Sequence, residues 1–133
     1  MVSNPFRRDD ENPPVIIIGL GRFGVSVARS LVAMGQEVMA VDLDEARVQR
    51  YADEFTHVVQ ADSTDRDALE QLGVESFDKA VIGISNNVES SVMTALALVD
   101  YEIPDIWAKA STKPAYTNTE VGAAAEGHTH SYL

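Results

Sequence analysis

The residues best suited to bind a ligand are three glycines in the stretch V-I-I-I-G-L-G-R-F-G. Gly19, Gly21 and Gly24 follow four β-branched residues and precede a segment with helical periodicity. At such a turn, backbone N–H groups point at an anion, the helix dipole favours negative charge, and no Cβ blocks close approach. A G-x-G-x-x-G pattern is informative when it lies between a strand and a helix. The sequence therefore predicts a turn that binds the diphosphate of an adenine nucleotide.

Asp42 supplies the second part of this predicted site. It lies at the end of the second predicted strand, about 20 residues beyond Gly21, where dinucleotide sites hold a ribose hydroxyl. A carboxylate there repels a 2′-phosphate, and the neighbouring Leu43 is not an arginine that could offset this, so NADP(H) is disfavoured. NAD(H), ATP, ADP and AMP are the candidates. The alternative is a glycine turn that serves only helix–sheet packing, with Asp42 in solvent.

Other polar residues lie next to the turn or in loops at the same end of the predicted sheet. Arg22 places a cation inside the turn, which predicts an additional negative group such as a γ-phosphate; a solvent-exposed arginine is the alternative. Asp62 follows the third strand, where it could accept a hydrogen bond from the adenine amine. Ser85, Asn86 and Asn87 follow the fourth strand and would line the same crevice; loop polarity alone is the competing explanation for them and for Asp62. Lys109 could face the ligand or only solvate the edge of the sheet. Phe23, Leu43 and Ser63 complete the set of candidates.

Alternating strands and helices are predicted to position these residues. The predicted strands are Val15–Gly19, Glu37–Val41, His57–Gln60, Lys79–Ile84 and Asp105–Ala110. The predicted helices are Phe23–Met34, a helix capped by Asp44, Asp65–Leu72 with Thr64 as its cap, and Val88–Tyr101. This alternation is typical of a doubly wound, Rossmann-like α/β fold with a parallel sheet of order 3-2-1-4-5. We expect a mobile leader over residues 1–13, the nucleotide-binding domain over 14–112, and an irregular tail over 113–133 without a complete sixth strand.

The composition of the chain disfavours several classes of function. The 133 residues carry a net charge of −11 and no cysteine, which disfavours nucleic acid, anionic membrane surfaces and thiolate chemistry. No apolar run reaches the roughly 18–20 residues of a membrane span, and the N-terminus lacks a signal peptide. We therefore expect a cytoplasmic protein without direct membrane insertion. No catalytic residues and no metal ligands are predicted, and the pair His128 and His130 lies in the tail.

The fourth predicted helix is apolar nearly all round, from Val92 to Val99. A helix that covers one face of a sheet needs only one apolar stripe, and the neighbouring fifth strand would otherwise be a bare edge. We therefore predict that the helix near 88–101 and the strand near 105–110 contact a second copy of the chain. Burial by a further C-terminal part of the fold is the alternative.

Several stretches together resemble the N-terminal RCK (TrkA-N) domain of bacterial potassium-transport regulators, especially the gating subunit of Ktr-type uptake systems. The matching stretches are V-I-I-I-G-L-G-R-F-G, M-G-Q-E-V-M-A-V-D-L-D-E-A-R-V, H-V-V-Q-A-D-S-T-D, L-G-V-E-S-F-D-K-A-V-I-G-I and I-P-D-I-W-A-K-A. They cover about residues 15–110. The glycine pattern followed by V-D-x-D-E and I-W-x-K-A is much narrower than a general dinucleotide fingerprint.

The resemblance implies a regulatory, non-enzymatic domain that dimerises and stacks into rings, often octameric, beneath a membrane-embedded potassium-translocating subunit. ATP would favour the active form and ADP the inactive form, while other members bind NAD(H). Asp42 would hold the ribose, the three glycines the phosphates, and Arg22 a γ-phosphate, including one across a dimer. Asp62, Asn86 and Lys109 would line the pocket. The competing hypothesis is the NAD-binding domain of a truncated oxidoreductase.

Overall fold

Five strands form one parallel sheet in the computed structural model, which describes residues 13–109. The strands are β1 (Val15–Ile18), β2 (Val38–Asp42), β3 (His57–Gln60), β4 (Lys79–Ile82) and β5 (Asp105–Ala108). Their order is β3-β2-β1-β4-β5, as predicted. The central strand β1 is buried along its whole length, because helices cover both of its faces and leave no position for a polar side chain.

Four helices connect the strands and cover the two faces. They are α1 (Arg22–Ala33), α2 (Glu45–Tyr51), α3 (Arg66–Gln71) and α4 (Val88–Asp100). Alternate side chains of β1 enter different cores: Ile16 and Ile18 pack with α3 and α4, whereas Val15 and Ile17 pack with α1. The residues after 109 and before 13, which include the predicted leader and tail, lie outside the described part of the chain.

Local sequence explains where the helices begin and end. The Asp44 side chain accepts a hydrogen bond from the amide of Ala46 and caps α2, as predicted. The predicted cap Thr64 of α3 is wrong, because Asp65 occupies that position and accepts from the amide of Asp67. Thr64 instead donates its amide and its hydroxyl to Asp62. The preceding turn is therefore built around Asp62, and α3 begins later than predicted.

Four strands also differ from the prediction in their bounds. β1 ends at Ile18 rather than Gly19, and β5 ends at Ala108 rather than Ala110. β4 ends at Ile82 rather than Ile84, because Gly83 comes into close contact with the glycine turn. β2 is shifted by one residue and includes Asp42. The register pairs Ile18 with both Val41 and Ile82, so β1, β2 and β4 end at the same level. This alignment gathers the polar segments that follow them into one edge.

Candidate functional site

The turn from β1 to α1 is held together by backbone contacts among three glycines. Gly19 has a φ of +108°, which L side chains rarely adopt. A Cβ on Gly24 would lie 1.8 Å from the carbonyl oxygen of Gly19, and one on Gly83 would lie 3.1 Å from it. Backbone atoms of three segments are therefore in contact here: the glycine turn, the start of α1 and the end of β4. Gly83 was not predicted as part of this contact.

The N-terminus of α1 lies open at this turn. Gly21 occupies the N-cap position in extended conformation, and no side chain caps the helix. The first amides of a helix lack intrahelical partners, and the dipole adds partial positive charge there. A helix N-terminus of this kind suits an anion, and phosphate binding at the turn stays a prediction.

Asp42 is buried beside the turn, with a relative exposure of 8%. Its Oδ2 accepts a hydrogen bond from the amide of Leu20 at 2.7 Å, and its Oδ1 accepts one from the amide of Asp44 at 2.8 Å. A carboxylate has about four acceptor positions, so both oxygens retain capacity for a ribose hydroxyl. Asp42 thus orders the glycine turn and keeps acceptor positions free on both oxygens; its contact with a ribose stays a prediction.

A cleft of about 480 Å³ opens at the carboxyl edge of the sheet, between the glycine turn, the end of β2 and the loops after β3 and β4. Nine of the predicted residues line it: Gly19, Gly21, Asp42, Leu43, Asp62, Ser63, Ser85, Asn86 and Asn87. This cleft, called the nucleotide cleft below, is at the topological switch point of the sheet, where ligands bind in open α/β folds.

Four predicted residues do not line the nucleotide cleft. Arg22 is exposed and lines a second recess on the other side of the turn. Gly24 is buried beneath the turn, and Phe23 is half-buried with the Lys109 ammonium 5.9 Å from the centre of its ring. Lys109 therefore contacts the α1 side of the sheet edge and not the nucleotide cleft.

The loop after β3 contributes a fixed negative charge. The Thr64 hydroxyl and the Thr64 amide, at 2.7 and 2.9 Å, donate to Asp62 and hold the pKa of that carboxyl below its usual value. Asp62 is therefore ionised at neutral pH. It can accept a hydrogen bond from an amino or hydroxyl group and repels a phosphate; the adenine contact predicted for it stays a prediction.

Two predicted residues use their side chains for the fold. Asn87 caps α4, with its side chain accepting from the amide of Ser90. The Ser63 hydroxyl turns inward and hydrogen-bonds the Thr94 hydroxyl of α4 at 2.7 Å, where both residues are buried. A ligand can still use the backbone of both residues, the NH₂ group of Asn87 and the remaining lone pairs of their side-chain oxygens. The side chains of Ser85, Asn86 and Asn87 are exposed in this part of the cleft.

Replacing Thr94 by valine is expected to lower the free energy of unfolding by about 1–3 kcal/mol, because the Ser63 hydroxyl is left buried without its partner. The Ser63→Ala/Thr94→Val double variant should lose less than the sum of the two single changes. Urea unfolding measures all three, with the exposed Ser85→Ala as control. Strict additivity of the single effects would contradict a coupled pair.

The cleft also contains residues that were not predicted. They are Ile18, Val41, Asp44, Arg47, Ala61, Thr64, Gly83, Ile84 and Ser90. The most consequential is Arg47, whose Nη1 lies 3.7 Å from Oδ2 of Asp42 and whose Nε lies 3.9 Å from Oδ2 of Asp44. One turn of helix separates Arg47 from Asp44, and that i, i+3 spacing was the available signal.

Within residues 13–109, no group of three or more histidines and acidic residues could hold a metal ion. No helix in that range is long and apolar enough to cross a membrane.

The apolar surface of α4 is partly uncovered among the described residues, since Met93 and Leu96 are 45% and 41% exposed. Contact of this helix with a second copy stays a prediction.

The parallel order, the glycine turn and the acid at the end of β2 define a Rossmann-like domain of the nucleotide-binding type. Comparison with known protein families identifies one family within this class, because the family model of the TrkA-N domain matches residues 15–124 of the chain. The chain belongs to the TrkA-N (RCK N-terminal) family, as its motifs predicted.

Individual relatives agree with this assignment. The chain is 42% identical over 100 residues to the Ktr system potassium uptake protein A of Bacillus subtilis, an alignment that covers 75% of this chain and 45% of that protein. It thus spans less than half the length of that relative. The AMP-bound C-terminal domain of Kef from Shewanella denitrificans is 30% identical, with a TM-score of 0.60 over 73% of this chain and 58% of that one.

A more distant structure shares the fold. The GsuK channel bound to NAD superimposes with a TM-score of 0.74 over 92% of this chain and 22% of that chain, at 17% identity.

Proposed function

We propose that this domain is the adenine-nucleotide sensor of a regulatory subunit in a potassium transport system. Asp42 carries the proposal, since it is a buried carboxylate at the end of β2 that also orders the glycine turn. The likeness to the Bacillus subtilis Ktr protein supports the transport context. The AMP-bound Kef domain supports an adenine nucleotide as the ligand.

The proposed binding mode assigns a part of the ligand to each edge of the cleft. The glycine turn and the N-terminus of α1 hold the phosphates, Asp42 holds the ribose hydroxyls, and Asp62 faces the adenine amine. ATP and ADP are the preferred ligands, NAD(H) is the second candidate, and NADP(H) is disfavoured by the charge of Asp42. We propose that no chemical step follows binding, because a sensor needs only different affinities in two states.

The same proposal includes the surroundings of the domain. A cytoplasmic assembly of several copies would sit beneath a membrane-embedded potassium-translocating subunit, and the uncovered surface of α4 and the edge strand β5 would contact a second copy. Residues 14–112 would form the nucleotide-binding unit, flanked by a leader over 1–13 and a tail over 113–133.

A thermal-shift panel of ATP, ADP, AMP, NAD, NADH and NADPH tests the ligand assignment. A nucleotide at one hundred times its Kd adds about 2.7 kcal/mol, which for a domain of this size raises the Tm by on the order of 10 °C. We expect shifts with ATP and ADP and no turnover of either. Stabilisation by NADH with none by ATP would instead favour the cofactor domain of an oxidoreductase. A panel without any shift would refute the binding site itself.

A further inference from the structure

A second cleft of about 530 Å³ lies between α1 and α2, on the other side of the glycine turn from the nucleotide cleft. Four arginines line it: Arg22 and Arg29 from α1, and Arg47 and Arg50 from α2. They are four of only ten basic residues in a chain with a net charge of −11. We call this recess the arginine cleft. The recess is thus lined by positive charge, whereas the chain as a whole is negatively charged.

Carboxylates compensate only part of this charge. Arg29 makes two hydrogen bonds with Glu54, and Arg47 lies near Asp42 and Asp44. For Arg22 and Arg50, no carboxylate among residues 13–109 lies within 4.0 Å. Guanidinium groups of like charge repel one another at short range, so two uncompensated arginines in one recess favour uptake of an anion.

We propose that the arginine cleft binds a small, multiply charged phosphate compound as a second ligand, separate from the nucleotide. Guanidinium groups bind phosphate oxygens with two parallel hydrogen bonds, and Ser26 and Tyr51 add hydroxyl groups to the lining. Because the rest of the chain is acidic, an extended polyanion such as a nucleic acid is repelled. The compound must therefore be small enough to lie within the recess.

The two clefts share part of their lining. Gly21 and Arg47 line both of them, and Arg47 stands beside the Asp42 carboxylate that is proposed to hold the ribose. An anion that draws Arg47 towards the arginine cleft changes the charge near Asp42 and therefore the affinity for a nucleotide, and a bound nucleotide changes the affinity for the anion by the same factor. Such coupling is reciprocal by thermodynamic linkage. The coupling rests on the proposed nucleotide site, whereas anion binding itself does not.

Calorimetric titration with inorganic triphosphate, in 150 mM KCl and without nucleotide, tests the proposal. Arg50 lines the arginine cleft and not the nucleotide cleft, so Arg50→Gln isolates the second site. Loss of a charge-assisted hydrogen bond should weaken binding about tenfold or more. The matched control is Arg66→Gln, an exposed arginine paired with Asp100, which should stay within about twofold of wild type.

Repeating the titration with saturating ATP, which fills the γ-phosphate position as well, distinguishes the second ligand from the phosphate tail of a nucleotide. A separate site predicts that triphosphate still binds and that Arg50→Gln still weakens it. Mutual exclusion together with indifference to Arg50→Gln would place the anion on the glycine turn and overturn the proposal. Absence of saturable binding in 150 mM KCl would also overturn it. Failure of ATP to bind would instead count against the nucleotide site, because the first titration contains no nucleotide.

Discussion

Replacing Asp42 by asparagine is expected to reduce affinity for AMP by on the order of a hundredfold, and to lower the free energy of unfolding by about 2–3 kcal/mol. Asparagine has one acceptor oxygen, whereas Asp42 uses both of its oxygens to accept from the amides of Leu20 and Asp44. The new NH₂ group would face one of these amides, donor against donor. The glycine turn then loses its anchor, and the ribose loses a charged acceptor.

Urea unfolding and calorimetric titration at a temperature where both proteins are folded separate the two effects of Asp42→Asn. The exposed acid Asp53 offers a control of equal charge change, and Asp53→Asn should alter neither quantity appreciably. Wild-type AMP affinity in a destabilised Asp42→Asn protein would show that the carboxylate only supports the fold.

Gly24→Ala is expected to destabilise the domain by more than about 4 kcal/mol. The added Cβ would lie 1.8 Å from the carbonyl oxygen of Gly19, and that oxygen belongs to a backbone that also touches Gly83. Neither segment can withdraw without breaking the end of β1 or β4. Since small domains are stable by only about 5–15 kcal/mol, much of this protein should be unfolded or insoluble.

Gly21→Ala is the matched control for Gly24→Ala. Its Cβ would have Ser85 Oγ as nearest neighbour at 3.9 Å, and its φ of −82° suits any residue. We expect an unfolding free energy within about 1 kcal/mol of wild type, with weaker nucleotide binding because the methyl group enters the nucleotide cleft. Circular dichroism melts compare the two variants. Equal melting temperatures for both would contradict the close backbone packing.

Much of this fold could be predicted because local patterns and global topology agree. The β-branched run of β1 indicates a strand covered on both faces, and the regular alternation of strands and helices sets the parallel order. The same reasoning located the glycine turn, Asp42 and the loops after β3 and β4, since the carboxyl ends of parallel strands meet at one edge. These features depend on position along the chain more than on side-chain packing.

What could not be predicted depends on packing between distant segments. Gly83 reads as part of a strand in A-V-I-G-I, and its role emerges only when Ile18 is paired with Ile82. The inward turn of Ser63 depends on Thr94, 31 residues away. Arg47 was overlooked because only the residue next to Asp42 was considered as a compensating cation. The position of Arg22 outside the nucleotide cleft likewise depends on where α1 meets α2.

In mechanical terms, the contact of Gly19, Gly24 and Gly83 is a stiff joint, because backbone touches backbone and no flexible side chain lies between. A diphosphate bound there, as proposed, would contact a surface that already has its final shape, so binding would cost little conformational entropy at the turn. The parts of the cleft that move most easily are the exposed side chains of Leu43, Ser85 and Asn86, whereas those of Asp44, Asp62 and Asn87, also exposed, are held by hydrogen bonds. If the domain senses nucleotides as proposed, we therefore expect the shape change between two bound nucleotides to begin at these side chains and not at the glycine turn.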